Sequence, residues 1–333
     1  MSTTRQQRAQ AAAHPLRPSD TLAPSSPTID PRAITTTPGD LAHIARAEEQ
    51  ACSASTNPPR PVNLRLRNLV TYKTGWRSLR LRLRRQICGG NPSWAQVWTA
   101  TALEGEVKLG SVVVKLLAEA LFPDDWPEAT WRSAAESEEA ELRAYAAYRS
   151  LQGRDVPHCY GGFSFAVPWG DTVTGIVLED LDEVSSDICE YCEERIEHVQ
   201  LQDRKDIRPL VTTAYSTLHR LQGLGVGGYY HLDPGDIRIL HSSTTSETHL
   251  VFLDFGQTRP VDYLARIHAE ANAKEHHYEP WQADDEGALE KLLRQVLGSV
   301  VDEWVELEAE ERGLTLFSEQ EVENVQYVED ESE

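Results

Sequence analysis

Leu250-Val251-Phe252-Leu253-Asp254-Phe255-Gly256 constrains the fold of this chain more than any other segment. Its apolar run reads as a buried strand. The strand delivers one carboxylate at its end, and a bulky apolar residue and a glycine follow. A carboxylate held there is the fixed, hard oxygen that Mg²⁺ needs where phosphate is moved. An Asp-Phe-Gly is also an ordinary turn after a strand, so its meaning depends on what stands upstream.

The chain has 333 residues, 40% of them hydrophobic, which is enough for one domain of two lobes plus tails. Its formal net charge of −21 implies an acidic surface that repels phosphate backbones, so nucleic acid is not an expected partner. No apolar stretch reaches the length of a membrane span, and the N-terminus lacks the apolar core of a secretory signal. The five cysteines (Cys52, Cys88, Cys159, Cys189, Cys192) form no disulfide framework, which points to the cytoplasm or nucleus rather than secretion. Cys189 and Cys192 make a CxxC, but a zinc site would need two more ligands, and they read as helix thiols. Glu275-His276-His277-Tyr278-Glu279 fits no familiar metal spacing and reads as a solvated loop.

Residues 1–60 are rich in Ala, Ser, Thr and Pro and are expected to form a disordered tail. Residues 60–85 carry nine Arg and Lys and no Asp or Glu. Within them, Leu79 to Arg85 alternates apolar and basic residues, which is strand periodicity. This stretch, 61–84, is a basic linker or strand arm: either a binding patch or a half-exposed strand whose arginines meet the acidic body. Strands are expected at Trp94–Ala100 and Ser111–Leu117, joined by a hairpin turn near Gly105, and again near 162–167 and 174–178. Helices are expected over Trp131–Leu151, Ile207–Leu224 and 284–312, with a short strand pair at Ile237–Leu240 and Leu250–Leu253. The acidic residues 313–333 read as a second disordered tail.

The parts of a nucleotide site stand upstream of Asp254 in order. Lys115 ends a β-branched run and could hold phosphates if a carboxylate fixes it. Glu141 on the next helix supplies one, although Glu136, Glu138 and Glu139 crowd the same helix. Val112-Val113-Val114-Lys115, then Glu141-Leu142-Arg143-Ala144-Tyr145 running into Leu151 to Pro157, resembles the protein-kinase-like superfamily. It looks most like the kinase-like proteins of filamentous fungi, related in pattern to aminoglycoside phosphotransferases. Gly175 to Leu181 looks like the family's fifth strand and hinge. The resemblance, over about residues 87–300, implies a two-lobed α+β fold. The N-lobe (85–180) would be an antiparallel sheet with one helix, and the C-lobe (181–312) mainly helical. It implies ATP and Mg²⁺ as cofactors, with the backbone of Glu179 to Leu181 on the adenine. Gly89-Gly90 would lie near phosphate, although the G-x-G-x-x-G spacing is absent.

The catalytic loop departs from the family's H-x-D-x-x-x-x-N. In one alignment His231-Leu232-Asp233 matches H-x-D, Asp233 is the base and Arg238 takes the Asn position, where it cannot bind a cation. In the other, Pro234-Gly235-Asp236-Ile237-Arg238 matches P-G-N-I-R, Asp236 replaces the Asn as a Mg²⁺ ligand, and the base position falls on His231. The sequence leaves both open. No Ala-Pro-Glu follows Gly256, so the acceptor, a small molecule or a protein, is not identified. The resemblance implies phosphate transfer to that acceptor. Its alternative is a pseudokinase that binds or scaffolds without transfer.

Overall fold

A computed structural model describes residues 15–27, 49–51, 53–55, 57, 59–71, 75–88, 95–117, 133–168, 170–182, 184–196, 207–227, 232–240, 249–260 and 281–297. Gly90, His231, residues 275–279 and the acidic 313–333 segment lie outside them.

The elements run β1 (Thr21–Leu22), β2 (Pro24–Pro27), α1 (Leu64–Thr71), β3 (Leu79–Cys88), β4 (Ala95–Glu104), β5 (Val107–Leu117), α2 (Ala134–Ala147), β6 (Cys159–Ala166), β7 (Thr172–Glu179) and β8 (Ser185–Asp187). They continue with α3 (Ile188–Ile196), α4 (Ile207–Gln222), β9 (Val226–Gly227), β10 (Ile237–Leu240), β11 (His249–Phe252), β12 (Arg259–Pro260) and α5 (Trp281–Leu297). Helix and strand are mixed, and the largest element is an antiparallel seven-stranded sheet in the order β1-β3-β4-β5-β7-β6-β2.

That sheet curls on itself. β1 pairs with β3 through Thr21↔Arg82 and Leu22↔Leu81, while β2 pairs with β6 at the opposite edge through Pro24↔Phe165 and Pro27↔Phe163. Ala23 alone separates β1 from β2, so Leu22 and Pro24 are at most about 7 Å apart. Both edges therefore meet on one short segment, which closes the five strands between them like a last stave. Pro24 and Pro27 suit a strand that need pair on one side only. Leu22, Leu81, Leu83, Trp98, Val112, Val114, Leu116, Phe163 and Phe165 pack inside, with Leu66 and Leu69 of α1.

Residues 15–27 are thus built into the sheet, and the expectation of a wholly disordered 1–60 tail is corrected there. The cause is register: Leu16 and Leu22 are buried, a signal that eight prolines and a Ser/Thr-rich composition hide. The division at 84/85 also falls inside β3. Leu79, Leu81 and Leu83 are buried while Arg82 and Arg84 point outward, as a half-exposed strand requires. Arg85 pairs with Asp182 and Arg65 with Glu104 (3.1 Å), so part of the basic stretch meets the acidic body.

The expected hairpin joins β4 to β5, with Gly105 at φ +59. α2 starts at Ser133 in a capping box: Glu136 N–H donates to Ser133 Oγ, and Ser133 N–H donates to Glu136 Oε2. The described part of residues 181–312 is not mainly helical. Three helices (α3–α5) share it with a three-stranded sheet, β11-β10-β8, and the pair β12-β9. The expected strand pair forms between Ile237–Leu240 and His249–Phe252, and β8, which has almost no apolar signal of its own, adds to it from a distance. Among the described residues no helix is long and apolar enough to cross a membrane.

Candidate functional site

Alternation along β5 sets the first functional side chain. Val112, Val114 and Leu116 face the interior of the curled sheet, so Lys115 faces the other way, toward α2 and the second half. Its strand is paired on both sides, Lys115 lying opposite Val97 and Ile176. The neighbouring position needs a glycine, since a Cβ on Gly175 would stand 2.8 Å from Leu116 Cδ2 and 3.0 Å from Lys115 O.

α2 supplies the second. Its buried face carries Ala134, Ser137, Glu138, Ala140, Glu141, Leu142, Ala144 and Tyr145. Among the crowded acids, Glu136 serves the cap and Glu139 pairs with Arg143. Glu141 meets Lys115, with Oε2 at 2.9 Å from Nζ. Glu141 Oε1 is buried with no hydrogen-bond partner among the described residues.

Asp254 comes from the end of β11. It has φ +54, a left-handed conformation uncommon outside glycine. Its Oδ1 accepts from Lys115 Nζ at 2.5 Å and from Gly256 N–H at 3.2 Å. Phe255 is fully buried edge-on against Tyr145 and Tyr148, with both ring centroids at 5.1 Å. That contact ties the Asp-Phe-Gly turn to α2, so Glu141 and Asp254 converge on one lysine.

The β10–β11 register, Ile237↔Phe252, brings the catalytic-loop candidates alongside. Leu253 N–H donates to Asp236 O at 2.7 Å. Asp233 N–H donates to Asp236 Oδ2 at 2.9 Å, and the Asp233 side chain is exposed. Arg238 points elsewhere, donating to Ser185 Oγ and Ser185 O at 3.1 Å each. Lys115, Glu141, Asp236 and Asp254 are therefore gathered, and Asp233 flanks them one turn away.

Their charges are interdependent. Burial alone would lower the pKa of Lys115, but Asp254 and then Glu141 more than reverse this and keep it an ammonium. Burial pushes Glu141 up to about 7, against the pull of Lys115, with Asp254 adding to the rise. The two partners thus differ, and the firm anion beside Lys115 is Asp254. Its side chain is 48% exposed. Burial of its inner face opposes its charge, yet Lys115 and the Gly256 N–H hold its carboxyl below the usual range. Asp236 is raised well above the usual range by burial and then by Asp254.

A carboxylate pair that repels itself suits a hard divalent cation. Among the described residues no group of three or more His, Cys, Asp or Glu is placed so that it could hold a metal ion. Two carboxylates with an open remainder is how Mg²⁺ is held when phosphates complete its shell.

The hinge candidates sit at the exit of β7. Glu179 N–H donates to His158 O at 2.8 Å, and its carboxylate takes both arms of Arg60 at 2.9 and 3.1 Å. Leu181 is buried, and its O accepts from Ser185 Oγ at 2.8 Å. Arg60 and its neighbour Asn57 escape sequence reasoning. Asn57 is 1% exposed and donates to Asp155 Oδ1, itself fully buried and bonded by Ser55 and Arg220. Three lone polar residues inside a proline-rich stretch carry no periodicity that would have found them. Cys189 and Cys192 lie one turn apart on α3, as thiols.

No family model matches the chain, and no curated protein matches it. Among solved structures, one described as WaaP in complex with acyl carrier protein is similar over 69% of this chain and 89% of its own. The identity is 14% and the TM-score 0.37. At that score the likeness carries no argument about function.

Proposed function

We propose that this protein is a kinase-like, two-lobed binder of ATP and Mg²⁺. One observation carries it: Lys115 Nζ stands 2.9 Å from Glu141 Oε2 and 2.5 Å from Asp254 Oδ1. A strand lysine fixed by a helix glutamate beside a metal-binding aspartate is the arrangement kinase-like sites use to hold phosphates. In this reading Lys115 takes the α- and β-phosphates, Asp254 and Asp236 hold Mg²⁺, and the backbone from Glu179 to Leu181 lies along adenine. Gly90 would approach the phosphates. The contact of Asp236 with the Asp254 strand, and the turn of Arg238 toward Ser185, favour the alignment in which Asp236 replaces the metal-binding Asn. His231 then occupies the base position, with Asp233 beside it.

Transfer to a small-molecule or protein acceptor is the active form of this reading. Binding without transfer is the second form, favoured by the mismatch between the base and metal positions. Mg²⁺-dependent ATP binding, measured by calorimetry, should be strong in the unaltered protein and at least tenfold weaker in Asp254→Ala, in line with the loss of a metal ligand. If the unaltered protein binds no ATP with Mg²⁺, the reading fails. ATP turnover lost in Asp233→Ala or His231→Ala would identify the base; turnover absent throughout would leave the pseudokinase.

A further inference from the structure

Ser55, Asn57 and Arg60 precede the first large strand, yet their contacts reach the core of both halves. Arg60 N–H donates to Gly153 O at 2.7 Å, Arg60 Nη1 to Arg154 O at 2.8 Å and Nη2 to Val156 O at 3.1 Å. Its remaining reach is the two-armed pair with Glu179 described above. A planar guanidinium that satisfies a carboxylate and two carbonyls at once is geometrically demanding, and lysine cannot reproduce it. Gly153 is required under this contact, because it has φ +75 and a Cβ there would meet Arg60 O at 3.2 Å and the His158 ring still closer.

Asn57 works on the other half. Its Nδ2 donates to Asp155 Oδ1 at 2.7 Å and to Leu250 O at 2.6 Å. Ser55 Oγ donates to the same Oδ1 at 2.7 Å, and Arg220 Nε of α4 donates to Oδ2 at 2.8 Å. A fully buried carboxylate persists only when it is matched this completely. The main chain of Asp155 then accepts from Phe252 N–H at 2.9 Å. β11 is the edge strand of its sheet, so Asp155 and Asn57 cover the side that β10 does not. Phe252 is two residues from Asp254.

We propose that Ser55, Asn57 and Arg60 form an intrachain strap that positions Asp254, by fixing β11 to the turn at Gly153–Val156 and to the exit of β7. This rests on the nucleotide reading only for its effect on binding; the mechanical linkage stands without it. The strap joins two spans of the site, Glu179 at the hinge and Asp254 at the metal, through contiguous hydrogen bonds rather than through either ligand.

The test uses full-length protein carrying Asn57→Ala, Arg60→Ala or Arg60→Lys. Hydrogen exchange reads the amides of Phe252 and Leu253, with those of Trp98 and Val114 as the reference. A Mg²⁺ titration of ATP binding gives the half-saturating concentration. The strap predicts faster exchange at Phe252 and Leu253 with unchanged protection at Trp98 and Val114. It also predicts a half-saturating Mg²⁺ concentration raised roughly tenfold in Arg60→Ala, as when an outer partner of a metal ligand is lost, with Arg60→Lys only partly restored. Unchanged exchange at Phe252 and Leu253 in both alanine variants overturns the strap, and so does a uniform loss of protection across all four amides. If the unaltered protein binds no ATP, the nucleotide reading fails while the exchange result still decides the strap. Arg60 is partly exposed, so its variants keep the test decisive should Asn57→Ala not fold.

Discussion

At the scale of the residue, the Lys115–Glu141–Asp254 triad is a charge network whose members are unequal: Lys115 and Glu141 are buried and Asp254 is half exposed. Lys115→Ala would leave Glu141 buried without its cation and should cost roughly 3–5 kcal/mol in urea unfolding. The double change Lys115→Met with Glu141→Gln should cost much less, because it removes both charges and keeps the volume. Glu141 also gives a pH signature. Its folded-state pKa of about 7 lies above its ordinary 4.5, so the folded protein holds a proton that the unfolded chain gives up. Its contribution to stability is therefore fully present below 4.5 and is lost as pH rises through about 7. The gain on acidification across that window should reach at most about 3 kcal/mol, and Glu141→Gln should flatten it in a series of unfolding curves. Lys115 and Asp254 were legible because strand alternation and a strand-end carboxylate are local signals. Glu141 could only be narrowed to a crowded helix, since Glu138 is buried there too and only the contact with Lys115 singles Glu141 out. Asn57 and Asp155 were not legible at all, because a buried hydrogen-bond knot is fixed by tertiary contact and leaves no period.

At the scale of the element, α2 is the part on which the site turns. It presents Glu141 to Lys115 and two tyrosines to Phe255. Phe255→Ala should destabilise by about 3–5 kcal/mol through the cavity it leaves between Tyr145 and Tyr148, measured by thermal and urea unfolding. Ser133→Ala removes the side-chain half of the capping box and should cost about 1 kcal/mol, with the first turn of α2 exchanging faster. The helix was plain in the sequence because its apolar spacing is regular. The strands of the second half were not all so, since β8 is three residues long and gains its place only by pairing with β10. A mainly helical second half was the natural expectation from Ile207–Gln222 and residues after 281, where helical periodicity is strong, while β8, β9 and β12, of two or three residues each, carry no strand signal.

At the scale of the whole molecule, one stave holds the large sheet closed. Deleting residues 1–27 should expose the edges of β3 and β6 together. Exposed edges invite pairing between copies, so the truncated protein should self-associate in sedimentation velocity under conditions where the full chain does not. Composition concealed this stave: prolines and serines that elsewhere mark a tail here serve a strand that pairs only by turns with each neighbour. The closure has a further consequence for how the chain is made. Ser25 Oγ donates to Ser164 O, a partner 139 residues later, so β2 cannot pair until β6 has been synthesised, although β1 can already meet β3. The ends of a loop that long meet late, so closure of the curled sheet at the β2–β6 edge should follow the pairing of its central strands.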